Sequence, residues 1–239
     1  MNSENSKRAS GRNPPAASRG PTRPAAPDTP ELAERRAQAP AAQALIRATR
    51  RLFAEGGPEW ATDKRIHDTA SRPGGRRGFP LGTIRYYFGG RERLLVYVAR
   101  HEHLARLDRV RRALRKVNNS QELAAALLKL AKDLDHFQVS FGLLTEAHHM
   151  PELQVAQAEL WEDWIAKLTE MVAELKARGA APADQDPYAL ALLWSSLTAG
   201  LAAHRLANPD IDLQPALDLA RLYVASSKQG GHPKRRREA

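Results

Sequence analysis

Two carboxylate–histidine pairs at helical spacing, Asp133-x-x-His136 and Glu146-x-x-His149, are the residues best suited to metal chemistry in this chain. Di-iron helical bundles use two Glu-x-x-His pairs together with two further glutamates. Here Glu159 or Glu162 would have to complete the set. Asp133 is not the usual ligand of such a centre, and His136 falls at a predicted helix end. A metal enzyme is therefore the weaker alternative, and no metal or cofactor is expected. His101-x-His103 points two ways around a helix and makes no chelate. There is no Walker-type phosphate loop and no nucleophile elbow. The absence of cysteine excludes disulfides, zinc fingers and thiol chemistry.

The chemistry that the sequence does offer is anion recognition. Residues 78–95 read GFPLGTIRYYFGGRERLL. A short helix opens at Leu81 or Gly82, with Pro80 just before it or at its first position. Ile84, Tyr87 and Phe88 share one apolar face and turn inward. Thr83, Arg85 and Tyr86 lie off that face. Gly82 lets the backbone come close to whatever the helix meets. Gly89-Gly90 stops the helix, and Arg91 sits in the first turn of the next. A cation is unfavourable for a helix start. Free amides plus Arg91 instead make a seat for a phosphate. A small basic reading helix followed by a phosphate clamp is the logic of a helix-turn-helix unit on DNA.

On Gly78, Phe79, Gly82, Thr83, Ile84, Tyr87, Phe88, Gly89 and Leu94 the segment resembles the DNA-binding signature of TetR-type bacterial transcriptional regulators. The resemblance implies an all-α fold: an N-terminal helix-turn-helix head on a helical-bundle body for ligand binding and dimerisation. It places Leu81–Tyr87 in a major groove, with Thr83, Arg85, Tyr86 and Arg91 mainly on phosphates. Thr62, Lys64, Gly82 and Tyr87 complete the implied contacts. The chain departs from the family at three places. Ser71–Arg77 (SRPGGRR) looks like an insertion in the normally tight turn, and it adds Arg72, Arg76 and Arg77 beside the reading helix. Its length costs little in closure entropy but threatens the angle between the two helices. Leu81 replaces a commonly polar residue, keeping only thymine-methyl contact. Arg85 replaces an aromatic one, exchanging a hydroxyl for a charge.

The charge distribution agrees. Residues 40–116 carry 18 Lys/Arg against 7 Asp/Glu, whereas 117–227 carry 7 against 15. A basic front half faces a polyanion, and the acidic back half has another task. Residues 1–39 are Pro/Ala-rich and aperiodic, predicting a disordered arm whose Lys7, Arg8, Arg12, Arg19 and Arg23 track DNA, although Glu31 to Gln38 could extend the first helix and Pro40 argues for a break or a fresh start. Residues 228–239 form a basic disordered tail. No apolar run suits a membrane span or a secretory signal, so a cytoplasmic protein is expected.

The elements that must position these residues follow from periodicity. The head, 40–92, begins with a helix over Ala41–Glu55, its broad apolar face built on Leu45, Ala48, Leu52 and Phe53. Thr62 caps a short second helix from Asp63 to about Ala70. The body, 93–227, starts on a long helix from Arg91 to about Val117. Leu94, Tyr97, His101, Leu104, Leu107, Val110 and Leu114 mark its inner face, and its basic end, 106–116, suits the negative helix terminus. A helix from Asn119 to about 134–136, another over Phe137–Met150, and a third over Pro151–Arg178 follow. Asp186-Pro187 opens a helix to Ala207, and an apolar one covers Leu213–Ser227. The resemblance pairs these last two helices with their copies in a homodimer on double-stranded operator DNA. Phe137, Phe141, His148, Met150, Trp161, Trp164, Trp194 and His204 are candidates to line a pocket for a small apolar or aromatic effector. The competing binding reading is a ligand-independent activator or architectural protein.

Overall fold

The computed structural model describes residues 30–70, 78–216 and 218–219. The described residues form nine α-helices and one 3-10 turn. Helices α1 (Pro30–Ala37), α2 (Pro40–Gly56), α3 (Asp63–Thr69) and α4 (Thr83–Phe88) make the head, with the 3-10 turn at Pro58–Trp60. Then come α5 (Arg91–Leu114), α6 (Ser120–Ala131), α7 (Leu134–Ala147), α8 (Pro151–Ala177) and α9 (Pro187–Ala207). No described helix is long and apolar enough to cross a membrane.

Side-chain caps set the helix ends. The Thr62 hydroxyl accepts from Arg65 N, Asn119 Oδ1 from Glu122 N at 2.9 Å, and Asp186 Oδ2 from Ala189 N at 2.8 Å. Glu122 reaches back to Asn118 N at 2.8 Å, closing a capping box. Asp133 is also a cap, accepting from His136 N. It ends α6 at Ala131 and starts α7 at Leu134, three residues earlier than the expected start at Phe137. The helix weighed for the end of the arm is present. Residues 30–37 are helical, and α1 packs on α4, with Arg36 over the Tyr86 ring at 5.6 Å. Pro40 breaks the chain between α1 and α2 rather than ending a disordered segment, because its ring suits a first helical turn. The arm cations between Lys7 and Arg23, Arg72, Arg76 and Arg77, and most of the 213–227 helix lie outside the described residues.

Two clusters form the core. One holds Leu45, Ile46, Phe53, Ile66, Ile84, Phe88, Leu94 and Leu95 from the head side with Val139, Leu143 and Leu153 from α7 and α8. The other joins the far half of α5 to α6, α8 and α9 around Leu123, Trp164, Leu168, Leu175 and Trp194. The head is thus packed into the body rather than strung from it. Gly142 on α7 marks the closest point: a Cβ there would stand 3.0 Å from the Phe53 ring and 3.2 Å from Pro58.

Candidate nucleic-acid interface and body cavity

The short reading helix, α4, keeps its predicted polarity. Ile84 and Phe88 are buried, and Tyr87 is half-buried against Tyr86 and Phe88. Leu81, Arg85 and Tyr86 are on the exposed side, with Leu81 79% and Tyr86 64% accessible. Thr83 Oγ1 donates to Pro80 O at 2.6 Å, fixing the turn before the helix. Gly82 and Gly89 bracket α4 at φ +95° and +79°, a left-handed region costly for side chains with a Cβ. Gly82 therefore serves as a conformational cap, since nothing lies within 4 Å of where its Cβ would be. It starts α4 at Thr83.

Two main-chain hydrogen bonds tie together the residues that flank the insertion. Gly78 N donates to Ala70 O and Phe79 N to His67 O, both at 3.0 Å. These main-chain bonds join the residues on either side of 71–77, so α4 is registered on α3 across the seam. Lys64 is exposed beside it and pairs with Asp68 at 3.2 Å.

Arg91, expected as a phosphate clamp, is also engaged within the protein. Its guanidinium donates to Ala61 O at 2.5 Å and to Asp63 Oδ1 at 3.3 Å, and lies 3.8 Å from Glu146 on α7. Three protein oxygens from two elements already hold this half-buried cation. It braces the start of α3 to α5 and α7, with both hydrogen bonds made by Nη1. The Glu146–His149 pair is likewise separated, with Glu146 facing Arg91 and His149 exposed against His148.

A polar cluster that the sequence did not advertise joins three helices deeper in. Glu102 of α5 is 2% exposed. Arg50 Nε of α2 donates to its Oε1, and His136 Nδ1 of α7 stands 3.0 Å from its Oε2. Burial alone would raise the Glu102 pKa. Hydrogen bonds from His101 and His136 and the Arg50 charge outweigh it and hold the carboxyl well below the usual range. Burial lowers the His136 pKa despite Glu102, leaving a neutral ring at pH 7 that donates through Nδ1. Asp133, the other half of that candidate metal pair, forms an ion pair with Arg109.

Among the eight residues expected to line an effector pocket, three converge. Phe137, Trp164 and Trp194 line a cavity of about 30 Å³ between α5, α7, α8 and α9. That is the share of one water in the liquid, not room for an effector. Phe141 is half-buried against the Phe137 ring at 5.9 Å, outside the lining. Trp161 is half exposed and borders a second hollow of about 70 Å³. His148 at the end of α7 and His204 on the outer face of α9 are solvent-facing, as their helix positions dictate. Met150 is half-buried in the other core cluster, packed with head residues.

Arg106, read from the sequence as part of a basic helix end, instead turns into the body and lines both hollows. Its guanidinium lies 3.7 Å from the Trp164 ring centre and 5.8 Å from that of Phe137. Trp164 Nε1 donates to Ser195 Oγ at 2.9 Å, which fixes the ring Arg106 rests on. Glu102, Arg106 and Arg109 recur at i, i+4 and i+7 on α5, and that spacing was the only sequence signal for them.

Residues 120–227 match the family model described as "BetI-type transcriptional repressor, C-terminal", one of the TetR C-terminal models. A search of curated proteins by sequence returned no match. Similar solved structures share the fold at low identity. A transcriptional regulator from Rhodococcus sp. Rha1 is 18% identical with a TM-score of 0.59, covering 76% of this chain and 94% of that one. The fatty acid degradation regulator FadR from Bacillus halodurans is 19% identical, with a TM-score of 0.56 over 78% and 96%. A Saccharomonospora viridis protein solved in complex with choline is 22% identical, with a TM-score of 0.55 over 80% and 93%.

Proposed function

We propose, from the match of residues 120–227 to a TetR-type C-terminal model together with the shared fold, that the chain is a TetR-type repressor that binds its operator as a homodimer and is released by a small effector held in the body. The observation that carries the DNA half is α4 itself: two buried anchors, Ile84 and Phe88, and an opposite side that exposes Leu81, Arg85 and Tyr86. Leu81 meets a thymine methyl, and Arg85 and Tyr86 meet phosphates. Arg91 supports this by holding α3 and α5 in place rather than by touching DNA.

A two-fold dimer supplies two heads for half-sites one helical turn or a multiple apart. The support for α9 as part of that interface is its surface: Leu193, Ser196, Gly200 and Ala203 recur on one side and are exposed among the described residues. Small side chains there permit close approach of a second copy.

For release, the support is the packing of head into body. The Glu102 cluster ties α2 to α5 and α7, and α7 also lines the cavity. An effector that widens the 30 Å³ cavity must move elements that the head is bonded to, which biases one of two global states. Genomic footprinting of the purified chain, followed by a metabolite screen for release, tests the whole reading. A bound operator released by no small molecule points to the ligand-independent alternative. Loss of sequence-specific protection would end the regulator reading.

A further inference from the structure

Two unmet donors share the body cavity. Arg106 has no carboxylate partner among the described residues. The nearest acids are committed elsewhere, Asp133 to Arg109 and Glu102 to Arg50 and His136. What Arg106 has instead is the face of Trp164. The second donor is the indole N–H of Trp194, which is buried without a hydrogen-bond partner. A buried donor left unpaired costs about 1–3 kcal/mol. A cation desolvated without an anion costs more. Burial pushes the Arg106 guanidinium down to about 10, which still leaves it charged at neutral pH.

We propose that the effector of this chain is a small carboxylate with a compact apolar body, its carboxylate held by the Arg106 guanidinium and the Trp194 indole N–H. This rests on the effector reading above and assigns that ligand its charge. A planar carboxylate accepts paired N–H bonds from a guanidinium and has lone pairs left for an indole. A quaternary ammonium fits worse. The Trp164 face it would need already carries Arg106, Arg109 stands nearby, and an N–H donor offers a cation nothing.

The dimensions say how the ligand enters. Arg106, His136 and Trp164 part the hollow of about 30 Å³ from the one of about 70 Å³. Benzene occupies an engineered apolar cavity of about 150 Å³. A ligand of that size therefore enters only when Arg106 leaves the Trp164 face and the two hollows merge. The freed ring face then takes the apolar body, while the guanidinium follows the carboxylate. Arg106 is one helical turn from Glu102 on α5, so this motion reaches the contact that holds α2.

The test uses the full-length protein and three probes of like size: benzoate, its neutral isostere benzamide, and choline. Butyrate and hexanoate extend the carboxylate arm. Calorimetry and tryptophan fluorescence read binding, and operator retention reads release. Benzoate or a short-chain carboxylate is expected to bind at least tenfold tighter than benzamide and to release DNA, with no binding of choline. Arg106→Gln is expected to lose about tenfold or more in carboxylate affinity, and Trp194→Phe about tenfold, the value of a hydrogen bond to a charged group. Arg106→Lys keeps part of it. If Arg106→Gln does not fold, Trp194→Phe decides. The proposal is overturned if benzamide binds as well as benzoate, if choline binds, if no carboxylate binds, or if both variants bind carboxylates like the wild type. Release by a neutral or cationic probe would leave the effector reading standing and remove only the charge assignment. Silence from every probe in a metabolite-wide screen would remove both.

Discussion

Replacing Glu102 with glutamine tests whether the buried cluster holds head and body together. The substitution keeps the shape and one acceptor for His136 but removes the charge facing Arg50. Breaking a buried ion pair costs about 3–5 kcal/mol when the abandoned partner cannot escape. Arg50 is 29% exposed, so it recovers part of its hydration. The expected loss is therefore about 2 kcal/mol, discounted for that exposure. For a domain of this size it lowers Tm by about 4–8 °C. The pH dependence sharpens the test. The Glu102 pKa is lower in the folded state, so its contribution is present above the ordinary value of 4.5 and is lost as pH falls below it. The difference between wild type and E102Q in thermal melts is expected to be full at pH 7 and to shrink toward pH 3.5. Equal melting at pH 7, or a difference unchanged across that range, would refute the ion-pair account. His136 adds a separate wild-type slope. Its folded pKa is below 6.5, so stability falls as pH drops from 6.5 toward that lower value.

Three further outcomes are expected. Arg85→Ala should weaken operator binding and flatten its log–log salt dependence by about 0.9 or less. Arg91→Ala should weaken binding and lower Tm with the salt slope unchanged, because its partners are Ala61, Asp63 and Glu146; gel-shift titrations over a salt series separate the two. Gly142→Ala should destabilise by about 1–3 kcal/mol in urea melts, since the new methyl meets the fully buried Phe53 ring. Replacing Arg72, Arg76 and Arg77 together with serine should leave Tm within about 2 °C of wild type, and any fall in DNA affinity then measures those charges directly.

What was legible in the sequence was local. Ile84 and Phe88 declared their face by spacing, and Thr62, Asn119 and Asp186 declared helix starts by cap chemistry. These signals act within one turn of the chain. The α5 face was read less well. Stepping by three through His101, Leu104 and Leu107 precesses around a 3.6-residue helix, and Leu104 is 66% exposed. The stripe that turns inward instead includes Glu102 and Arg106, which charge alone assigns to solvent. Their partners are far along the chain, 52 residues away for Arg50 and 34 for His136. Nothing in a local window reports them. The Arg91 brace was missed for the same reason: its partner Glu146 lies on α7, far along the chain.

The seam from Ala70 to Gly78 has a wider consequence. Because main-chain hydrogen bonds register it, a segment spliced between those two residues can change length or composition while the head keeps its register. Evolution can thus try new cationic appendages there at little structural risk. A laboratory can do the same with a fluorophore-bearing or affinity-tag peptide without redesigning the protein that carries it.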